Sequence, residues 1–267
     1  MANSIFLDTD NEVLSLINKR TSTRKFLPRS LTSDEKNTIL SSAVRAPSAG
    51  AMMMYSIIEI EDPQTIQQLS VLADNQKFIA HAPWVLVFVA DYAKWINLFE
   101  YTKCFSLTDV KHNRPKPGFA ELILSAQDTM LAAGNAMTAA ESLGLGSCFI
   151  GDVVENAEEI ARLLKLPQYT LPLSMLVIGQ PYKARPQTPH PTCNIIMHET
   201  YQEQTPQIMD AQIKELDKKF FPHATDTAVR VKDIYCRKHT SDFVDEMERS
   251  VRVWIDNWRG KKSLRDE

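Results

Sequence analysis

The stretch from Phe119 to Leu143 admits few architectures. Wound at 3.6 residues per turn, Leu122, Ile123, Ala126, Met130, Leu131, Ala133, Met137 and Ala140 leave it little purely polar face. A helix that is apolar nearly all round must be buried. The body of the molecule is therefore expected to pack around this helix, with a second subunit supplying part of the cover. A chain of 267 residues is long enough to build such a core in one large domain.

The rest of the chain supplies sheet and helix to surround it. "PWVLVFVAD" (83–91) is a continuous apolar run, the pattern of a strand buried on both faces. "YSIIEIED" (55–62) predicts a strand closed by Asp62-Pro63, "GLGSCFIG" a strand between glycines, and "LSMLVIGQP" a last strand ended by Gly179 and Pro181. Helices are predicted over 11–18, where Val13, Leu14 and Ile17 share a face, and over 64–73 and 156–167. In "LTSDEKNTILSSAVRA", Thr32 and Glu35 form a capping box, Ile39, Leu40, Ala43 and Val44 form the stripe, and Pro47 stops the helix. Residues 95–118 are mixed, and "RPKPG" within them reads as a loop. Residues 205–259 read as polar helix without a rich apolar face. The expected organisation is a body at 1–204 and a helical extension at 205–267 that wraps that body or a partner's. Strands interspersed with helices give an α+β class.

Composition excludes several functions. Net charge is −3, so a surface coated in nucleic acid is not expected and any anion site must be local. The four cysteines are scattered with no CxxC pair, which fits reduced thiols in the cytoplasm. "MANSIFLDTDNE" lacks the basic start and long apolar run of a signal peptide, and no apolar stretch is long enough to span a membrane. The six histidines form no HxH or HExxH pair, so no metal site is expected. GxSxG, GxGxxG and GxxxxGK[ST] patterns are absent. Cys148 has apolar flanks and reads as a buried structural thiol rather than a nucleophile.

Three segments carry possible chemistry. In "KRTSTRKF" (19–26), Arg20, Ser22 and Arg24 share one side of an extended chain and can converge on a dianion, or the segment is a solvated basic loop. If they share one phosphate, Lys19 and Lys25, at the opposite parity, face away. "RAPSAGAMMMYS" (45–56) offers a small-residue turn, the Ser48 hydroxyl and the adaptable surface of Met52, Met53 and Met54, or is a plain helix-to-strand loop. "GLGSCFIGD" (144–152) can present backbone N–H groups to a ligand, or its glycines only punctuate a strand.

In this order and spacing, "INKRTSTRKF", "ILSSAVRAPSAG", "FIAHAPWVLVFVAD", "AAESLGLGSCFIGD" and "LVIGQP" resemble the FMN-dependent nitroreductase family over roughly residues 11–200. The resemblance implies a mainly antiparallel central sheet flanked by helices, in an interlocked homodimer with an FMN at each of two interface sites. Arg20, Ser22 and Arg24 match its grip on the flavin phosphate and ribityl chain, and Thr21 and Thr23 add backbone contacts. Pro47, Ser48 and Ala49 match a turn that lies against the isoalloxazine of the partner's site. Gln76 matches a residue reaching the ribityl chain or ring O2, and Ile150, Gly151 and Asp152 match the segment facing flavin N5 and O4. A further phosphate contact falls on Arg185 or on His190. Where the family carries Asn, Gln and an aromatic after its Pro-Ser, this chain has Ala51, Met53 and Tyr55, a change in pocket polarity. The implied activity is ping-pong transfer from NADH or NADPH, through flavin N5, to nitroaromatics, quinones or flavins, with no protein acid or base. Dehalogenation or desaturation on the same scaffold, or FMN binding without catalysis, are the alternatives. No nucleic-acid or membrane partner is expected.

Overall fold

The 83–91 run forms a strand, and its alternation sets the layers of the molecule. The computed structural model describes residues 10–183, 195–220, 227–261 and 263–264. In chain order the elements are α1 (Glu12–Lys19), α2 (Ser33–Val44), β1 (Tyr55–Ile60), α3 (Pro63–Leu72), β2 (Trp84–Asp91), α4 (Ala93–Tyr101), α5 (Phe119–Ser142), β3 (Gly146–Ile150), α6 (Ala157–Leu164), β4 (Thr170–Gly179), α7 (Pro206–Phe220), α8 (Thr227–His239) and α9 (Asp242–Trp258). The described residues fall into two compact units. One comprises 10–21 with 195–244, the other 22–183 with 245–264. The first holds α1, α7 and α8.

The second unit is built on one sheet of order β1-β2-β4-β3, antiparallel throughout. The class is α+β, as the sequence predicts. Val85, Val87 and Val89 of β2 face one core with Met175 and Val177 of β4, Cys148 and Ile150 of β3, and residues of α3, α6 and α9. Trp84, Leu86 and Phe88 face the opposite core with Leu176 and Ile178, covered by Ile39 and Ala43 of α2 and the alanines of α5. Helices thus cover both faces of the sheet, which is why β2 reads as apolar without a break.

The Thr32–Glu35 capping box forms. The Glu35 N–H donates to Thr32 Oγ1 at 3.2 Å, and the Thr32 N–H donates to Glu35 Oε2 at 2.7 Å. Bidentate contact with Arg29 and the Thr32 N–H hold the Glu35 carboxyl down at about 2.

The single chain supplies part of the expected cover of α5, and the expectation for 205–259 changes. α5 is covered on one side only: Leu122, Asp128, Ala132, Ala136 and Ala140 are buried, while Ile123 and Leu131 remain 57% and 47% exposed. The 205–259 stretch does contain apolar anchors, because Trp254 and Trp258 of α9 are fully buried. Their indoles donate to the Val154 and Gly118 carbonyls, each at 3.0 Å. Among the described residues, no helix is long and apolar enough to cross a membrane. None of their His, Cys, Asp and Glu side chains group so as to hold a metal ion.

Candidate functional site

The order of the sheet leaves β3 at an edge, and the "KRTSTRKF" segment occupies it. Ser22 bridges Ser147 in parallel fashion, and the Thr23 N–H donates to the Ser147 carbonyl at 2.8 Å. Gly146 makes this approach possible, since a Cβ there would lie 2.4 Å from Thr23 Oγ1. Alternation then buries Thr23 and leaves Ser22 half-buried and Arg24 exposed, as a two-residue period requires. Arg20 caps α1, its N–H donating to Leu16 O at 3.0 Å, and belongs with Thr21 to the first unit.

Lys25 corrects the parity argument. It lines the same cleft as Arg24 rather than facing away. The segment changes partner between Ser22 and Phe26: Phe26 bridges Pro181, and the Tyr182 N–H donates to Lys25 O at 3.0 Å. A chain that leaves one strand for another does not keep a single side-chain alternation.

The far end of β3 delivers Ile150, Gly151 and Asp152. Ile150 is buried, and Gly151 is exposed, with no atom of any described residue other than its chain neighbours within 4 Å of where a Cβ would stand. Asp152 accepts a hydrogen bond from Gln76 Nε2, which also donates to Ala73 O at 3.1 Å. Gln76 follows Asp74 and Asn75, both in the left-handed region at φ 58° and 50°. Glu155 steadies this turn by accepting the Asp74 N–H at 3.2 Å on Oε2, while its Oε1 is buried without a partner among the described residues. Burial, with Asp152 and Asp74 nearby, pushes the Glu155 carboxyl up to about 7. Behind this corner, Ser250 of α9 donates to Val154 O at 2.5 Å and accepts the Ala157 N–H at 3.0 Å.

The "APSAG" turn is held by a residue that the sequence reading passes over. Asp128 of α5 is 2% exposed and accepts from Ser48 Oγ at 2.7 Å, the Ala49 N–H at 2.9 Å and the Met54 N–H at 3.3 Å. These bonds secure Gly50, Ala51 and Met53, at φ 57°, 56° and 48°. Trp95 of α4 donates to Met52 O at 2.9 Å. The one available signal was a lone acid in the middle of an otherwise apolar helix.

The structure brings Ser22, Thr23 and Arg24 to the β3 edge, and Gln76 to Asp152. It does not bring Pro47, Ser48 and Ala49 to them. Tyr55 opens β1 opposite Ala90, whereas Ser147 lies opposite Ile178, itself opposite Trp84. The turn and the cationic edge therefore stand at diagonal corners of the sheet, on the order of 25 Å apart from strand spacing and rise. Arg185 and His190 lie outside the described residues.

A family model described as the nitroreductase family matches residues 17–180. The chain belongs to the nitroreductase family. It is 32% identical over 197 residues to the FMN reductase (NADPH) of Bacillus subtilis (strain 168), covering 73% of this chain and 76% of that one. It is 30% identical over 208 residues to the oxygen-insensitive NADPH nitroreductase of Salmonella typhimurium, covering 77% and 81%. The solved structure of B. megaterium NfrA2 superposes with a TM-score of 0.73 at 27% identity, over 90% of this chain and 97% of that one. Nitroreductase A from Vibrio parahaemolyticus shares the fold, with a TM-score of 0.79 at 23% identity over 95% and 100% of the two chains.

Proposed function

We propose that the chain is an FMN-dependent oxidoreductase that uses NADH or NADPH to reduce small aromatic acceptors (nitroaromatics, quinones or flavins), and that it works as a homodimer. The observation that carries this reading is the fixed β3 edge. Ser22 and Arg24 stand on a clamped backbone, Arg24 lies 5.7 Å over the Phe78 ring two residues from Gln76, and among the described residues no carboxylate lines the cleft that Arg24 faces. An uncompensated guanidinium beside a hydroxyl fits a phosphate, and the open space at Gly151 leaves room for a planar group against the backbone.

Bound there, FMN would supply two-electron hydride chemistry between the nicotinamide donor and the aromatic acceptor. Arg24 and Ser22 would hold the phosphate, with Thr23 contributing backbone. Gln76, its two amide N–H bonds taken by Asp152 and Ala73 O, would offer Oε1 as an acceptor to the ribityl chain or ring edge. The backbone of Ile150–Asp152 sets the position of the ring edge, and Pro47, Ser48 and Ala49 of a second copy cover its face. Arg185 is proposed for a further phosphate contact.

Two features support the dimer. The two sets of flavin contacts stand at diagonal corners of one chain, and α5 leaves Ile123, Leu124, Met130 and Leu131 exposed along one side. Contiguous apolar surface of this kind marks an interface. A reducing compartment such as the cytoplasm accords with the thiols of Cys104 and Cys236.

The test is direct. The purified protein is expected to show flavin absorbance that bleaches anaerobically with NADH or NADPH and returns on adding a quinone or nitroaromatic. Arg24→Ala is expected to purify with little flavin. A colourless protein that takes up no FMN would falsify the reading.

A further inference from the structure

The cleft beside Arg24 carries more positive charge than one phosphate uses. Its volume is about 510 Å³, within the range of small-molecule sites. Arg24 and Lys25 enter from the β3 edge segment, and Lys77 and His81 from the turn after α3. Phe26, Phe78 and Tyr182 form its apolar walls. Among the described residues no acidic side chain lines it, in a chain whose net charge is −3. The cations are therefore a local arrangement, not a sample of a basic surface.

Their mounts are fixed. The Leu27 N–H donates to Gln180 O at 2.8 Å and the Tyr182 N–H to Lys25 O at 3.0 Å. Gly179 admits Phe26, since a Cβ there would lie 2.9 Å from the ring. On the other wall, Ile79 and Ala82 donate their N–H groups to Gln76 O and Ile79 O, each at 2.9 Å.

Aromatic walls with cations between them suit a stacked base carrying phosphate. In the reading above, Arg24 joins Ser22 on the flavin phosphate. Lys25, Lys77 and His81 then remain for a second anion. NADPH differs from NADH by one phosphate, on the adenosine ribose. We propose that this cleft receives the adenosine end of the dinucleotide donor, and that Lys25 and Lys77 bind its 2′-phosphate, making NADPH the preferred donor. This rests on the flavin reductase reading.

The probe is 2′,5′-ADP, titrated calorimetrically into the FMN-loaded protein beside 5′-AMP. The parent is expected to bind 2′,5′-ADP at least about tenfold more tightly, and Lys25→Ala/Lys77→Ala to erase the difference. In the same double variant, the ratio of kcat/KM for NADPH over NADH falls about tenfold with flavin content and thermal midpoint unchanged. Equal affinities in the parent overturn the proposal, as does discrimination that survives the double substitution. Loss of FMN from the double variant also overturns it, because the cleft then serves the flavin phosphate alone. A parent that takes up no FMN refutes the flavin reading instead, and the nucleotide titration still decides what the cleft binds.

Discussion

Glu155 is a carboxyl 5% exposed, with one oxygen on the Asp74 N–H and the other without a partner among the described residues. From an ordinary value of 4.5 it is pushed up to about 7, first by burial and then by Asp152, Asp74 and Glu246. The folded chain therefore keeps a proton that the unfolded chain releases above 4.5. Stability from this group is full below that value and is lost as pH rises toward 7. Glu155→Gln keeps the shape and the acceptor but removes the charge. It is expected to be more stable than the parent by about 3 kcal/mol at pH 8 and near parity at pH 4. Urea midpoints of both chains across that range check this, and a parent curve that stays flat would rule out Glu155 as the source. The same residue steadies the turn that carries Gln76, so flavin affinity is expected to follow the same pH dependence.

At the scale of elements, the β3 edge depends on a missing side chain. Gly146→Ala places a methyl 2.4 Å from Thr23 Oγ1 and 2.9 Å from Pro181, so the 22–26 segment must move. The variant is expected to lose most of its flavin, read as the ratio of visible to ultraviolet absorbance, while the two cores, which do not touch this position, keep the fold. Much of this architecture was legible beforehand. The unbroken apolar run of β2, the Thr32–Glu35 box and the strand between Gly144 and Gly151 each have local causes, and Ser22 and Arg24 follow from a two-residue period. The parts that were not legible depend on distant partners. Two tryptophans in the polar helix α9 do not announce that Val154 and Gly118 will accept their N–H groups. A single Asp128 in α5 does not say which turn it will secure. Lys25 escaped its parity because the chain changes strands beneath it.

For the whole molecule, the uncovered side of α5 is the feature of greatest consequence. Leu131 is 47% exposed on a stripe with Ile123, Leu124 and Met130. Leu131→Glu disturbs no core contact of the single chain but places a charge in the proposed interface. Light scattering at micromolar concentration is expected to report a monomer, with flavin released in proportion, and a dimer of unchanged affinity would remove α5 from the interface. The diagonal corners of the sheet also bear on genetics. In the proposed dimer, one allele damaged at Arg24 and another damaged at Ser48 would each encode chains whose dimers have two broken sites. When the two are expressed together, about half of the dimers are mixed, and each mixed dimer gathers both lesions into one site and leaves the other whole. About a quarter of all sites would then work, so two null alleles of one gene would complement each other.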